Sequence, residues 1–138
     1  MEKILYADDD VEVREIAQAI LVKEGYDVLI AKDGNEAVNL AREKPDLVIL
    51  DYMMPGKSGI EACQELKKNP ETKSIPVLIV TAHPSEKERA LQAGAIDFIT
   101  KPVDKTDLLH RIKSVLRVRA VDNELQKMIA YISELEKK

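Results

Sequence analysis

One cysteine, two histidines and five glycines in 138 residues leave little room for several kinds of chemistry. Cys63 has no second cysteine to pair with, and no Cys or His stands near it at a metal-binding spacing. A disulfide scaffold and a zinc site are excluded, and a reducing compartment is expected. Cys63 reads as a small core residue, not a reactive thiol. His83 and His110 also lack ligand spacing and read as a loop residue and a helix-surface residue. No apolar run approaches the roughly 18 to 20 residues of a membrane span, and one lysine and four apolar residues before three aspartates make neither a signal peptide nor a transit sequence. The expectation is a cytoplasmic chain with no membrane partner. No glycine-rich turn follows the first apolar run, so a dinucleotide site is excluded.

What is present is an ordinary globular balance, 45% hydrophobic and 33% charged, enough for one domain with a real core. The formal charge of -4 gives no general reason to expect nucleic-acid binding. The body to residue 104 is acidic and the remainder basic, with 8 basic against 5 acidic side chains from 105 onward. Arg111, Lys113, Arg117 and Arg119 form a basic stripe that, with no reading element beside it, reads as a solvated helix face.

Short apolar, β-branched runs alternate with segments of helical period. The runs are Ile4 to Ala7, Val28 to Ala31, Leu47 to Leu50, Val77 to Val80 and Asp97 to Thr100. Between the first two, Val13, Ile16, Ala17, Ile20 and Leu21 recur at spacings of three and four, which predicts a helix over 11 to 23 that ends at Gly25. Asp33-Gly34 reads as a turn before a helix over 36 to 43, carrying Ala37, Leu40 and Ala41. Ser58 with Glu61 three residues on has capping-box spacing, ahead of a helix with Ile60, Cys63 and Leu66. Pro70 and Pro76 bracket the next loop, and Pro84 opens a short helix over 84 to 93, closed by Gly94. Five βα units result. Strands this apolar, separated by helices, predict a doubly wound parallel α/β sheet of flavodoxin-like (βα)5 type, strand order 2-1-3-4-5.

The last helix is expected from about Asp104 to the terminus without a Gly or Pro. Leu108, Leu109, Ile112, Val115 and Leu116 suit packing on the sheet. From there the register changes: Val118, Val121, Leu125, Met128, Ile132 and Leu135 alternate by three and four, an a/d seam. About 20 residues at 1.5 Å each project roughly 30 Å, beyond what a small domain covers. The expected division is therefore a body over 1–117 and, over 118–138, a helical extension for coiled-coil dimerisation or linkage, with a homodimer as the natural way to cover the seam.

Asp8-Asp9, Asp51, Thr81 and Lys101 each fall at or just past the C-terminal end of a run, and ligands of open α/β sheets bind outside that edge. Asp10 is expected to cap the following helix, leaving Asp8 and Asp9 to meet Asp51. Three carboxylates in one pocket suit a hard divalent cation such as Mg²⁺. A carboxylate can also act as a nucleophile toward phosphorus, with Lys101 and Thr81 as donors to phosphoryl oxygens. Lys101-Pro102 makes Pro102 a candidate for a cis peptide bond.

From Lys3 to about Arg117 the chain resembles the receiver domain of two-component response regulators. The resemblance lies in Asp8-Asp9, in Asp51-Tyr52-Met53-Met54-Pro55-Gly56, in Thr81-Ala82 and in Lys101-Pro102, each after its strand and in order. It implies a phosphorylation-dependent signalling switch in which Asp51 accepts a phosphoryl group from a sensor histidine kinase or phosphotransfer protein. It implies Mg²⁺ held by Asp9, Asp51 and the Met53 backbone carbonyl, with Asp8 acting through water, and phosphoryl oxygens held by Lys101 and Thr81. Apart from its own phosphoryl transfer and dephosphorylation, such a domain is not an enzyme. The implied switch moves Thr81 toward the phosphate and turns Phe98 inward, passing the change through strands four and five into the last helix. Two departures from the pattern matter: Phe98 stands where Tyr is frequent, and Met53 and His83 stand where faster-cycling relatives carry polar or acidic residues, which predicts a longer-lived phosphoryl group. Two alternatives remain, a haloacid-dehalogenase-type phosphatase, weakened because Met53 occupies the place of its general acid, and a coiled-coil scaffold with a vestigial receiver.

Overall fold

The computed structural model describes residues 1–137. Five strands form one parallel sheet in the order β2-β1-β3-β4-β5, β1 being Lys3–Ala7, β2 Asp27–Ala31, β3 Leu47–Asp51, β4 Val77–Thr81 and β5 Asp97–Thr100. The crossovers contain α1 (Val11–Lys23), α2 (Gly34–Leu40, continued by a 3-10 turn over Ala41–Glu43), α3 (Gly59–Lys68) and α4 (Lys87–Gln92, preceded by a 3-10 turn over Pro84–Glu86); α5 (Lys105–Glu136) follows β5. This is the expected flavodoxin-like order with an extended last helix.

Alternation along each strand sends side chains to two cores. Leu5, Ala7, Val48, Leu50 and Ile79 pack on one face with Ile60, Cys63 and Leu66 of α3. Ile4, Tyr6, Leu47, Ile49, Leu78, Val80 and Ile99 pack on the other with Ala17 and Leu21 of α1 and Leu108, Ile112, Val115 and Leu116 of α5. Burial on both faces explains why these strands read as continuous apolar runs.

Helix starts follow their caps. The Asp10 carboxylate accepts from the Glu12 and Val13 N–H groups at 2.9 and 3.3 Å, and Ser58 and Glu61 exchange the two bonds of the capping box at 3.1 Å each. Two boundaries differ from expectation. Asp33-Gly34 is not a free turn: Asp33 caps α2, accepting from the Glu36 N–H at 2.8 Å, so the helix begins at Gly34. The glycine is required because a Cβ there would lie 2.3 Å from the Lys57 carbonyl oxygen. The segment from Pro84 is also not one helix. No side chain caps either its 3-10 turn or α4, and without a cap the first turn stays in the tighter form.

Sheet register sets the functional edge. Ala7 lies opposite Ala31 and Leu50, Asp51 opposite Val80, and Thr81 opposite Thr100, so the residues ending or following β1, β3, β4 and β5 emerge together. Among the described residues no helix is long and apolar enough to cross a membrane.

Candidate functional site

The acidic pocket begins with Asp8, which is buried. Its Oδ1 accepts from the Asp10 N–H at 2.9 Å, and the Arg14 guanidinium donates to its backbone carbonyl at 2.8 Å, fixing the turn from β1 into α1. Its Oδ2 is buried and, among the described residues, has no hydrogen-bond partner. Asp51, also buried, is held from below by the α3 start: the Gly59 N–H donates to the Tyr52 carbonyl at 3.0 Å, and a Cβ on Gly59 would stand 2.2 Å from the Asp51 carbonyl oxygen. Asp9 is exposed at the rim, and Asp8, Asp9 and Asp51 each offer a carboxylate oxygen within 4.8 Å of the others.

Lys101 closes the pocket on the β5 side. Its Nζ lies 2.9 Å from Asp51 Oδ1 and 3.9 Å from Asp8 Oδ2, so it hydrogen-bonds the first and only faces the second. The Lys101–Pro102 peptide bond is cis. One ammonium does not balance this much buried negative charge. Burial pushes the Asp51 carboxyl up to about 6, opposed by its bond to Lys101 and reinforced by Asp8 and Asp9. Burial also raises Asp8 above the ordinary carboxylate range, against the Asp10 N–H and Lys101. Burial pulls the Lys101 ammonium down, yet Asp51, Asp8 and Asp9 outweigh it and its pKa rises.

An orphaned buried carboxylate oxygen, two further acids within reach and a raised Asp51 pKa fit a divalent cation of oxygen-ligand preference. Lys101 Nζ touches Asp51 Oδ1 while two further acids lie within reach of the same carboxylate, an arrangement in which a carboxylate oxygen can attack phosphorus with positive charge beside the incoming oxygens.

Of the remaining sequence candidates, Thr81 ends β4 on the same sheet edge, while Cys63 and the basic stripe make their contacts elsewhere. Thr81 is fully buried; its hydroxyl donates to Glu86 Oε1 at 2.7 Å and accepts from the His83 N–H at 3.2 Å. Met53 is 71% exposed in the loop after Asp51. Phe98 is half-buried, with Lys87 Nζ 5.4 Å from its ring centroid. His83 and His110 are exposed. Cys63 is buried with its thiol donating to the Ala93 carbonyl at 3.4 Å, and burial raises its pKa to about 11, away from reactivity. In the basic stripe, Arg111 pairs with Asp97 and Asp107, Lys113 with Glu24 and Arg119 with Asp46.

Three contributors escaped the sequence reading. Tyr6 shares a face with Asp8 by strand alternation, a signal that was available; burial, then Asp8 and Asp51, push its phenol pKa up. Glu86 and Arg14 had no such signal, since loop geometry decides what they reach.

The family model described as the response regulator receiver domain matches residues 4–113. Among solved structures, the signal receiver domain of a signal transduction histidine kinase from Syntrophus aciditrophicus is 36% identical with a TM-score of 0.78, covering 85% of this chain and 91% of that one. The chemotaxis response regulator CheY4 of Vibrio cholerae is 30% identical with a TM-score of 0.79, covering 83% and 98%. The receiver domain of a sensor histidine kinase from Pseudomonas aeruginosa, described with a magnesium ion coordinated in its active site cleft, is 26% identical with a TM-score of 0.77, covering 83% and 97%.

Proposed function

The chain belongs to the response regulator receiver domain family, and from that premise we propose that it is a phosphorylation-dependent switch whose phosphoacceptor is Asp51. The observation that carries this reading is the 2.9 Å contact of Lys101 Nζ with an Asp51 carboxylate crowded by two further acids. In the transfer, an Asp51 oxygen attacks the phosphorus of a phosphohistidine on a sensor histidine kinase or phosphotransfer protein. The P–O bond forms as the P–N bond breaks, and the departing imidazole nitrogen takes up a proton. Lys101 stays beside the new acyl phosphate and pairs with its oxygens, and Thr81 supplies a second donor once its hydroxyl turns toward them.

Asp9, Asp51 and the Met53 backbone carbonyl would hold Mg²⁺, with Asp8 acting through water, in line with the magnesium described for the Pseudomonas aeruginosa domain. When bound, the ion supplies positive charge that offsets the three carboxylates and the incoming phosphoryl oxygens. A phosphatase of the haloacid-dehalogenase type carries its general acid two residues after the nucleophile. Here that residue is the exposed Met53.

The proposed division is a receiver over 1–117 and a pairing helix over 118–138, of which Lys138 lies outside the described residues. Val118, Val121, Leu125, Met128, Ile132 and Leu135 are each at least half exposed. Ile129 and Tyr131, also exposed, fall at the flanking e and g positions and widen the stripe beyond the expected seam. At its base a groove of about 390 Å³ is lined by Arg117, Val118, Val121, Asp122 and Leu125. Four of these are the a, d, e and a residues that in a parallel two-stranded coiled coil form the hole for the partner's d residue. The occupant is a second copy of this chain.

Incubation with phosphoramidate and Mg²⁺ tests the phosphoacceptor. Intact-mass spectrometry should show one added phosphoryl group, absent from Asp51→Asn and from chelator-treated protein. Repeated turnover of a generic phosphomonoester would instead support a phosphatase.

A further inference from the structure

We propose that Glu86 is a positioning residue for this site: it holds the Thr81 hydroxyl on the α4 side and must release it before Thr81 can serve an acyl phosphate on Asp51. The inference rests on the phosphoacceptor reading. Thr81 follows Ile79 by two, so it leaves the sheet on the face that packs against α3 and α4. A hydroxyl has one proton to give; its nearer acceptor here is Glu86 Oε1 at 2.7 Å, with the neutral His83 carbonyl farther away at 3.3 Å. A carboxylate is the stronger kind of acceptor, and this one is half-buried in the turn before α4. The same proton cannot also serve a phosphoryl oxygen, so the two acceptors compete.

Glu86 also borders the residue after the phosphoacceptor. The Tyr52 phenol is held above its usual pKa by burial and then by Glu86, and the Arg89 guanidinium lies 5.9 Å from the Tyr52 ring. Because neither the 3-10 turn nor α4 has a side-chain cap, the Thr81–Glu86 bond is, among the described residues, the one side-chain hydrogen bond tying the 84–92 segment to the sheet. Its exchange for a phosphoryl oxygen therefore removes one tie on the start of α4, with the Lys87–Phe98 and Arg89–Tyr52 contacts remaining, and so links occupancy of Asp51 to a surface segment.

The competition sets the population able to receive ligand, and apparent affinity scales with that population. Calorimetric titration of Mg²⁺-saturated full-length protein with beryllofluoride, an acyl-phosphate mimic, reads it directly. Glu86→Ala should bind about tenfold tighter than wild type, as expected for losing one charge-assisted bond in the unliganded state. Glu86→Gln, which keeps the side-chain volume and a neutral acceptor, should gain about threefold and carries the comparison if the alanine variant melts early. In a Thr81→Ala background neither substitution should matter. Equal tightening with and without Thr81 would mean that removing a negative charge is the whole effect and would overturn the proposal. So would wild-type binding that neither Glu86 variant improves, with the phosphoacceptor reading left standing. Wild-type protein that binds no beryllofluoride would remove both.

Discussion

Under the proposed function Asp51 carries two opposing demands, since its carboxylate must react with a phosphoryl donor yet sits among acids below the surface. Its carboxyl is pushed up to about 6 by burial, so the folded state holds that proton more tightly than the unfolded chain. The sign follows: stability falls as pH rises from the ordinary carboxylate range to about 6, and above that the loss is complete. Asp51→Asn removes the penalty. In chelator at pH 7.5 the variant should melt above wild type, and the difference should shrink toward pH 4; a lower melting temperature at pH 7.5 would show that the lost Lys101 contact outweighs burial. Mg²⁺ should stabilise wild type more than the variant, because binding to the folded state alone adds stability. Met53 poses a different question at the same centre. Its thioether stands 71% exposed two residues past Asp51 and offers water no useful hydrogen bond. Met53→Asn should shorten the acyl-phosphate lifetime a few-fold, below the roughly 100-fold of a positioned general base. Phosphoryl loss followed by intact mass decides it, and an unchanged lifetime counts against a role for Met53.

The elements show which parts of this arrangement a sequence carries. Strand ends were legible because parallel pairing collects every C-terminal end on one edge, so placing Asp8, Asp51 and Lys101 needed only the order of the runs. The α3 start was legible because Ser58 and Glu61 satisfy each other locally. The α2 start is just as local, Asp33 capping the Glu36 N–H three residues on, although Asp33-Gly34 reads as a turn; what stayed hidden is the need for glycine at 34, set by the Lys57 backbone 23 residues away. The split before α4 was equally hidden, because it follows from a missing cap, and a tertiary bond ties Glu86 to Thr81. Gly59 belongs to this second class and couples an element boundary to chemistry. A methyl group there would meet the Asp51 carbonyl oxygen at 2.2 Å, so α3 could dock only by shifting the end of β3. Gly59→Ala should therefore cost about 1–3 kcal/mol and also slow phosphorylation in the variant that remains folded. Urea unfolding and the rate of mass gain from phosphoramidate separate the two effects, and a stable variant phosphorylated at the wild-type rate would show that the end of β3 yields without consequence.

At the scale of the whole molecule, α5 joins a buried half to an exposed half without a break. Its last buried residues are Val115 and Leu116, and Arg119 reaches back to the Pro45 carbonyl and to Asp46 at 3.3 and 3.4 Å, so the helix leaves the sheet in a fixed direction. Such an exit would let the proposed switch, through a change at β5 and α5, alter how two copies of the proposed dimer meet. Removing the seam should show it: Leu125→Asp should sediment as a monomer at tens of micromolar while keeping the wild-type melting temperature of the body. Orientation is the sharper test. In a parallel pair Arg117 at g faces Asp122 at e of the partner, and two-fold symmetry makes two such contacts, each worth about 0.2–1 kcal/mol at an exposed site. Arg117→Glu or Asp122→Lys alone places like charges together and should weaken the dimer measurably at low salt. The double charge swap restores both contacts, so its sedimentation should return to wild type, and added salt should flatten all the differences. In an antiparallel pair g faces g and e faces e, so these two residues do not meet and the double variant would simply sum the effects of the single ones.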